Sequence, residues 1–159
     1  MADNPDQNTP EDTHATGPQG RPQHPDQPTW VPRLAIEAAH HDQLVEHGGL
    51  QCIRDKNARE AASARLQQRR HYEPYTDLAA LAAAYAFGIA TAHPFADGNK
   101  RTAYVTAEMF LALNGYTVSW SDAEVVETML AVAAREMMED ELASWFRAGL
   151  AALPPDKGE

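Results

Sequence analysis

The chain has 159 residues, a formal net charge of -10 with histidine neutral, and one cysteine, Cys52. That length supports one domain with a modest core; the acidic surplus argues against a general nucleic-acid binder, and a lone cysteine excludes an internal disulfide. No apolar run reaches the roughly 18 residues of a membrane span, and the N-terminus lacks the basic start and apolar stretch of a secretory signal, so a cytoplasmic protein is expected.

Residues 1–29 hold Pro, Gly, Gln, Asp and Thr and almost nothing apolar. Such a segment cannot bury enough surface to offset its chain entropy and reads as a disordered tail. A folded domain is expected over 30–153, with a short tail at 154–159. Its first helix, Arg33 to Glu46, presents Leu34, Ala38, His41 and Val45 on one face, and Gly48-Gly49 stops it. Leu50 to Asp55 reads as a connector, with Asp55 placed to cap a helix over 56–68. Six of the thirteen basic residues lie between Arg54 and Arg70. That basic stretch reads as a solvated face, with a surface for an acidic partner as the alternative.

Tyr72-Glu-Pro-Tyr75 reads as a turn and Thr76 as the cap of an alanine-rich helix reaching Thr91, with Leu78, Leu81, Tyr85 and Ile89 as its larger apolar residues. Gly88 costs that helix about 1 kcal/mol relative to alanine, which close packing of another backbone would explain. Lys100 to Asn114 is apolar on nearly every face, the mark of a buried helix, and ends at Gly115. Tyr116 to Trp120 is an extended segment, either a short strand or a packed connector. Ser121-Asp-Ala-Glu124 has capping-box spacing and opens a helix to about Met137, lined by Val125, Met129 and Val132. Glu139 to Leu150 is the last helix, with Leu142, Trp145 and Phe146 inward, and Leu153-Pro-Pro155 ends the fold. The class is all-α: about six helices around a buried central pair.

Between that central pair stands the most polar short stretch of the chain, His93-Pro-Phe-Ala-Asp-Gly-Asn-Lys-Arg101. Stability alone gives no reason to place such groups at a buried junction. The free N–H groups and dipole of a helix N-terminus favour a phosphate, and Gly98 lets that phosphate approach the backbone. Lys100 and Arg101 add cations. Asp97 opposes a bare phosphate but supports one carrying magnesium. His93 is suited to take a proton from a hydroxyl near neutral pH, and Phe95 anchors the loop in the core. Base, metal ligand and phosphate cradle together point to phosphoryl or nucleotidyl transfer from a nucleoside triphosphate. His40, His41 and His47 lack metal-ligand spacing, since adjacent histidines point to different helix faces.

The stretch resembles the signature of the Fic/Doc superfamily, most of all the Doc (death-on-curing) toxins. His41-Asp42, Glu46-His-Gly-Gly-Leu50, Arg54-Asp55, Asn99-Lys-Arg-Thr-Ala103 and Phe-Leu-Ala-Leu-Asn-Gly115 extend the similarity over about residues 34–148. The resemblance implies a Fic/Doc-type helical bundle using ATP and Mg2+. His93 would be the general base and Asp97 the metal holder; Gly98 and Asn99 would form the anion loop, with Lys100 and Arg101 neutralising phosphate. It implies transfer of the γ-phosphate to a threonine of elongation factor Tu, stopping translation, under control of a separate Phd-type antitoxin. The basic 54–70 region, with Arg65 and Arg69, would be its contact.

Lys100 and Tyr104 follow the Doc pattern, because Fic adenylyltransferases carry Gly at the first position and a second arginine at the other. Gly98, by contrast, is the Fic choice where Doc toxins tend to have Ala, and Thr91 stands where they can carry an arginine. The alternatives are AMP transfer to a protein hydroxyl and, in a different class, a non-catalytic Fic-fold binding module. The latter would be expected to have lost His93 or Asp97. The Ser/Thr-x-x-x-Glu inhibitory segment of many Fic proteins does not occur in the sequence.

Overall fold

The computed structural model describes residues 28–50, 56–73 and 76–156. Residues 1–27 of the tail expected over 1–29, residues 51–55 of the connector with the Asp55 cap, Pro74 and Tyr75 of the expected turn, and residues 157–159 lie outside the described residues. Among those described, six helices and two short strands follow in order: α1 Arg33–His47, α2 Lys56–Tyr72, α3 Leu78–Ala92, α4 Asn99–Leu113, β1 Tyr116–Val118, α5 Asp122–Ala133, α6 Glu139–Gly149 and β2 Leu150–Ala152. The fold is the all-α bundle expected.

Helix α3 is the axis of the bundle, touching α2, α4, α5 and α6. Alanine at most of its positions lets neighbouring helices approach closely, and eleven of its fifteen residues are buried. Its partner α4 is less enclosed than its composition suggests. It buries Thr102, Ala103, Thr106, Ala107, Phe110 and Leu111, while Lys100, Ala112 and Leu113 stay exposed. Asp77, not Thr76, caps α3: its carboxylate accepts from Ala80 N at 2.8 Å, whereas the Thr76 hydroxyl donates back to Glu73 O. Asp77 also pairs with Arg147 of α6 at 2.7 Å, so one carboxylate serves a cap and an interhelical tie.

Helix α1 docks by a face other than the expected one. Ile36, Ala39, His40 and Leu44 are buried; Leu34 and Val45 are 69% and 72% exposed, and Ala38 and His41 are also on the outside. Both faces carry comparable apolar area, so burial was decided by what α1 meets, which is α4 and the loop before it.

Helix α2 runs four residues past its expected end, and its cations are not simply solvated. Arg65 and Arg69 both converge on Glu139 at the first turn of α6, the former at 3.0 Å, tying the two helices together. Ser121 and Glu124 form the capping box of α5, which stops at Ala133, four residues early, with Arg135 in a left-handed conformation. Strand β1 pairs antiparallel with β2, Thr117 opposite Ala151. The sequence offered no sign of β2, three residues taken as the end of a helix and the chain after it. Gly149 sits just before it with the Trp120 indole against its Cα, leaving no room for a side chain.

Candidate active site at the α3–α4 junction

The loop begins where α3 is turned aside. His93, the C-cap of α3, has φ 49° and ψ 55°, a left-handed conformation. Such a backbone costs a residue with a Cβ roughly 1–2 kcal/mol, so the surrounding fold must impose it. Pro94 and Phe95 then plunge into the core; Phe95 is 1% exposed, and burying such a ring is worth about 1.5–3 kcal/mol. The chain returns to the surface at Ala96 and Asp97, both exposed.

Asn99 closes the loop behind them. Its side-chain oxygen accepts from Phe95 N at 3.1 Å and its amide nitrogen donates to Phe95 O at 2.9 Å. With the side chain committed inward, what Asn99 can offer a ligand is its main-chain N–H. Gly98 is the N-cap of α4 at φ 75°, and no side chain caps that helix. Among the described residues the Asp97 carboxylate accepts from the adjacent Gly98 N, at 2.8 Å. Among the described residues no side chain therefore covers the first N–H groups of α4, as an anion site requires.

His93, Ala96, Asp97, Gly98, Asn99, Lys100 and Arg101 line one cavity of about 350 Å³. The structure thus gathers six of the seven residues singled out in the motif around one space and places the seventh, Phe95, beneath it. A larger cavity of about 690 Å³, lined by Arg65, Arg69, Tyr72 and Glu139 among others, lies between α2 and α6 and holds none of the motif.

Helix α1 and the residues after it complete the site. Arg101 reaches Gly48 O at 3.4 Å. Gly49, at φ 133°, passes so close that a Cβ there would stand 2.7 Å from Asp97 Oδ2. His40, 5% exposed, lies flat on Phe95 with ring centroids 3.8 Å apart, and its Nε2 is 2.8 Å from Asp97 O. Sequence reasoning weighed His40 only as a metal ligand. Its spacing of four residues from both Ile36 and Leu44 was the available signal.

A divalent cation can be tested against the donors present. Among the described residues no three His, Cys, Asp or Glu side chains gather into a metal cage. Asp97 supplies one carboxylate at the cavity. That suits magnesium, which takes one or two carboxylates and completes its shell with water and phosphate oxygens. No described helix is long and apolar enough to cross a membrane.

Helix α4 continues away from the loop. Tyr104, one turn beyond Arg101, does not turn towards the loop. Its hydroxyl donates to Glu108 at 3.0 Å and its ring stacks on Phe146. Burial, helped by the charges of Glu108 and Asp122, pushes the Tyr104 hydroxyl far above its usual range. It stays a neutral donor.

Known proteins resemble the chain to different degrees. The crystal structure of the N-terminal Fic domain of a VirB-translocated Bep effector protein from Bartonella quintana, solved with bound ADP, matches with 16% identity and a TM-score of 0.42, over 82% of this chain and 64% of that one. The chain is 34% identical over 110 residues to a protein named protein kinase doc from Escherichia phage P1, a match spanning 69% of this chain and 86% of the phage protein. The sequence profile of the Fic/DOC family covers residues 30–111, from Trp30 through the whole loop to the buried half of α4. The protein whose α3–α4 junction is described above belongs to the Fic/DOC family.

Proposed function

We propose that the chain is a Doc-like transferase that moves the γ-phosphoryl group of ATP onto a hydroxyl of a protein. The observation that carries this reading is the single cavity uniting His93, Asp97, the uncapped start of α4, Lys100 and Arg101. His93 takes the proton as the acceptor oxygen bonds to phosphorus, the bond from that phosphorus to the bridging oxygen breaks, and ADP leaves. The N–H groups at the start of α4 receive phosphate oxygens, and Lys100 and Arg101 neutralise the charge that develops on them. Magnesium held by Asp97 would screen phosphate charge when bound.

Transfer of the γ rather than the α phosphorus is favoured by two side chains. Lys100 extends a cation into the approach to the anion loop. Tyr104, engaged with Glu108, supplies no second triphosphate clamp. AMP transfer is the second reading, and Gly98 favours it, since its missing Cβ leaves room for a deeper approach. Retention of both His93 and Asp97 weighs against a non-catalytic binding module.

The similarity to the phage kinase supports a place in a toxin–antitoxin pair, with elongation factor Tu as target and a Phd-type antitoxin supplied in trans. The basic stretch offers such an antitoxin less than its count suggests, because Arg65 and Arg69 already share Glu139.

Purified protein with magnesium, elongation factor Tu and ATP labelled at the α or the γ position tests the reading. Label from the γ position alone, lost in His93→Ala, is expected. Label from the α position would select the second reading, and activity retained in His93→Ala would overturn the base assignment. Label from neither position would overturn elongation factor Tu as the target, and a lysate screen would then separate another target from a non-catalytic module.

A further inference from the structure

Among the buried titratable side chains, one touches the anion loop without any part in the chemistry above. We propose that His40 is a positioning residue that locks the Asp97–Gly98 peptide in its anion-accepting orientation. The inference rests on the proposed function for its consequence and on geometry for its substance.

Asp97 O can only accept, so the His40 nitrogen 2.8 Å away carries the hydrogen and donates. A trans peptide is planar with its C=O and N–H opposed, and the described chain contains no cis bond. Drawing Asp97 O inward to His40 therefore turns the Gly98 N–H outward. There it holds the exposed Asp97 carboxylate at 2.8 Å and faces the side from which phosphate must come.

The local chain holds that orientation by an exposed bond, from Gly98 N to the neighbouring Asp97 carboxylate at 2.8 Å. Rotating the 97–98 peptide by half a turn changes the φ of Gly98, and glycine accepts either sign at little cost. The rotated peptide would aim a carbonyl oxygen at the cavity and its N–H at α1, replacing an anion donor by an anion repeller. Other residues at this site restrain the peptide less directly. Asn99 grips Phe95, two residues upstream of the peptide, and Gly98, the N-cap of α4, has no side chain to cap that helix.

His40 is well placed to supply it because its own ring cannot move. It is sandwiched against Phe95 with only 9° between the planes, is 5% exposed, and rides on a helix whose Leu44 also backs Gly98. A donor fixed by packing lowers the entropy cost of the hydrogen bond it makes.

Two substitutions separate the ring from its hydrogen bond. His40→Phe keeps the stacking on Phe95 and removes the donor. His40→Gln places an amide N–H near the position of Nε2 and gives up the ring. Calorimetry with ADP and magnesium, beside thermal melts, is expected to show His40→Phe weakened about tenfold, the worth of one hydrogen bond. His40→Gln should stay within about threefold despite the lower melting temperature that lost packing brings. Equal weakening of the two in step with their melting temperatures, or no weakening in His40→Phe, would overturn the proposal by leaving His40 a structural residue only.

A wild-type protein that bound no nucleotide would count against the proposed function instead. The crystal structure of His40→Phe then decides for His40: a negative φ at Gly98, or two orientations of the 97–98 peptide, is expected. An unchanged peptide would overturn the assignment.

Discussion

Asn99 holds Phe95 by both ends of one peptide-like group, accepting from its N–H at 3.1 Å and donating to its C=O at 2.9 Å. The bracket closes a five-residue loop whose ring is sunk in the core and whose polar side chains face outward. Rigidity in the buried half thus sets the positions of the groups in the exposed half. Asn99→Ala leaves both main-chain groups without their partner and should cost about 1–2 kcal/mol of stability. Because Asp97 and Gly98 lie within the bracket, transfer activity should fall by more than the melting temperature implies. A urea titration beside a transfer assay checks both; activity lost only in proportion to unfolded protein would refute the bracket's role in the site.

Gly48 and Gly49 are both left-handed but differ in what surrounds them. A Cβ on Gly48 meets nothing within 4 Å, so Gly48→Ala should cost about 1–2 kcal/mol of backbone strain and leave nucleotide affinity alone. A Cβ on Gly49 would stand 2.7 Å from Asp97 Oδ2 and 2.8 Å from Leu44 Cδ2. Gly49→Ala must therefore push the carboxylate or the strand of chain above it. A displacement of about 1 Å can lower the transfer rate on the order of 100-fold. Steady-state rates of the two variants at saturating magnesium distinguish them.

Asp77 joins the start of α3 to α6 through Arg147. Burial pushes its carboxyl up, but the hydrogen bonds from Arg147 and Ala80 N and the nearby guanidinium charges outweigh it, leaving the acid below its ordinary 3.8. The unfolded chain thus binds the proton first as pH falls, so the stabilisation is complete above about pH 4 and is lost as pH drops through the lower folded value. Asp77→Asn keeps the cap and loses the pair, which for side chains about half exposed is worth no more than about 1 kcal/mol. Asp77→Ala loses the cap as well, about 1 kcal/mol further. Melts between pH 2.5 and 7 should show the gap between wild type and Asp77→Asn closing at the acid end.

Glu108 shifts the other way. Burial raises its carboxyl and the Asp122 charge adds to that, while the Tyr104 hydroxyl only partly offsets them. The folded protein holds this proton to higher pH than the unfolded chain does. Its penalty is therefore absent below about pH 4.5, grows as pH rises through that value, and is complete only above the raised folded value. Glu108→Gln retains an acceptor for Tyr104 and removes the charge. It should melt at or above the wild-type temperature at pH 7, with the advantage shrinking towards pH 4. A lower melting temperature at pH 7 would mean that the charged form is the better partner for Tyr104.

The elements most legible in the sequence were those whose evidence is local. Ser121 and Glu124 spell a capping box because the bonds involved span three residues, and the structure forms it. The alanine run of α3 and the Gly115 stop after α4 were equally plain. Strand β2 was not, because three residues have no periodicity to read, and the segment is a strand only because β1 lies beside it. The orientation of α1 failed for a related reason. Leu34, Ala38 and Val45 on one side and Ile36, Ala39 and Leu44 on the other are nearly equivalent in apolar area, so pattern alone could not choose between them.

What the sequence by itself determined is the polar make-up of nine residues, His93 to Arg101, and the helices that bracket them. Both are short-range properties: a glycine before a helix start, and a histidine, an aspartate and two cations within reach of it. What only the tertiary structure decided is how that loop is held. His40 lies 57 residues from Asp97 in the chain and Gly49 lies 48, and neither contact has a local signature. The choice between the two faces of α1 was made by the flat ring of Phe95 and the carbonyl of Asp97. The face with Ile36 and Leu44 brings the His40 ring flat against Phe95 and its Nε2 within 2.8 Å of Asp97 O, and apolar pattern alone carried no sign of either contact.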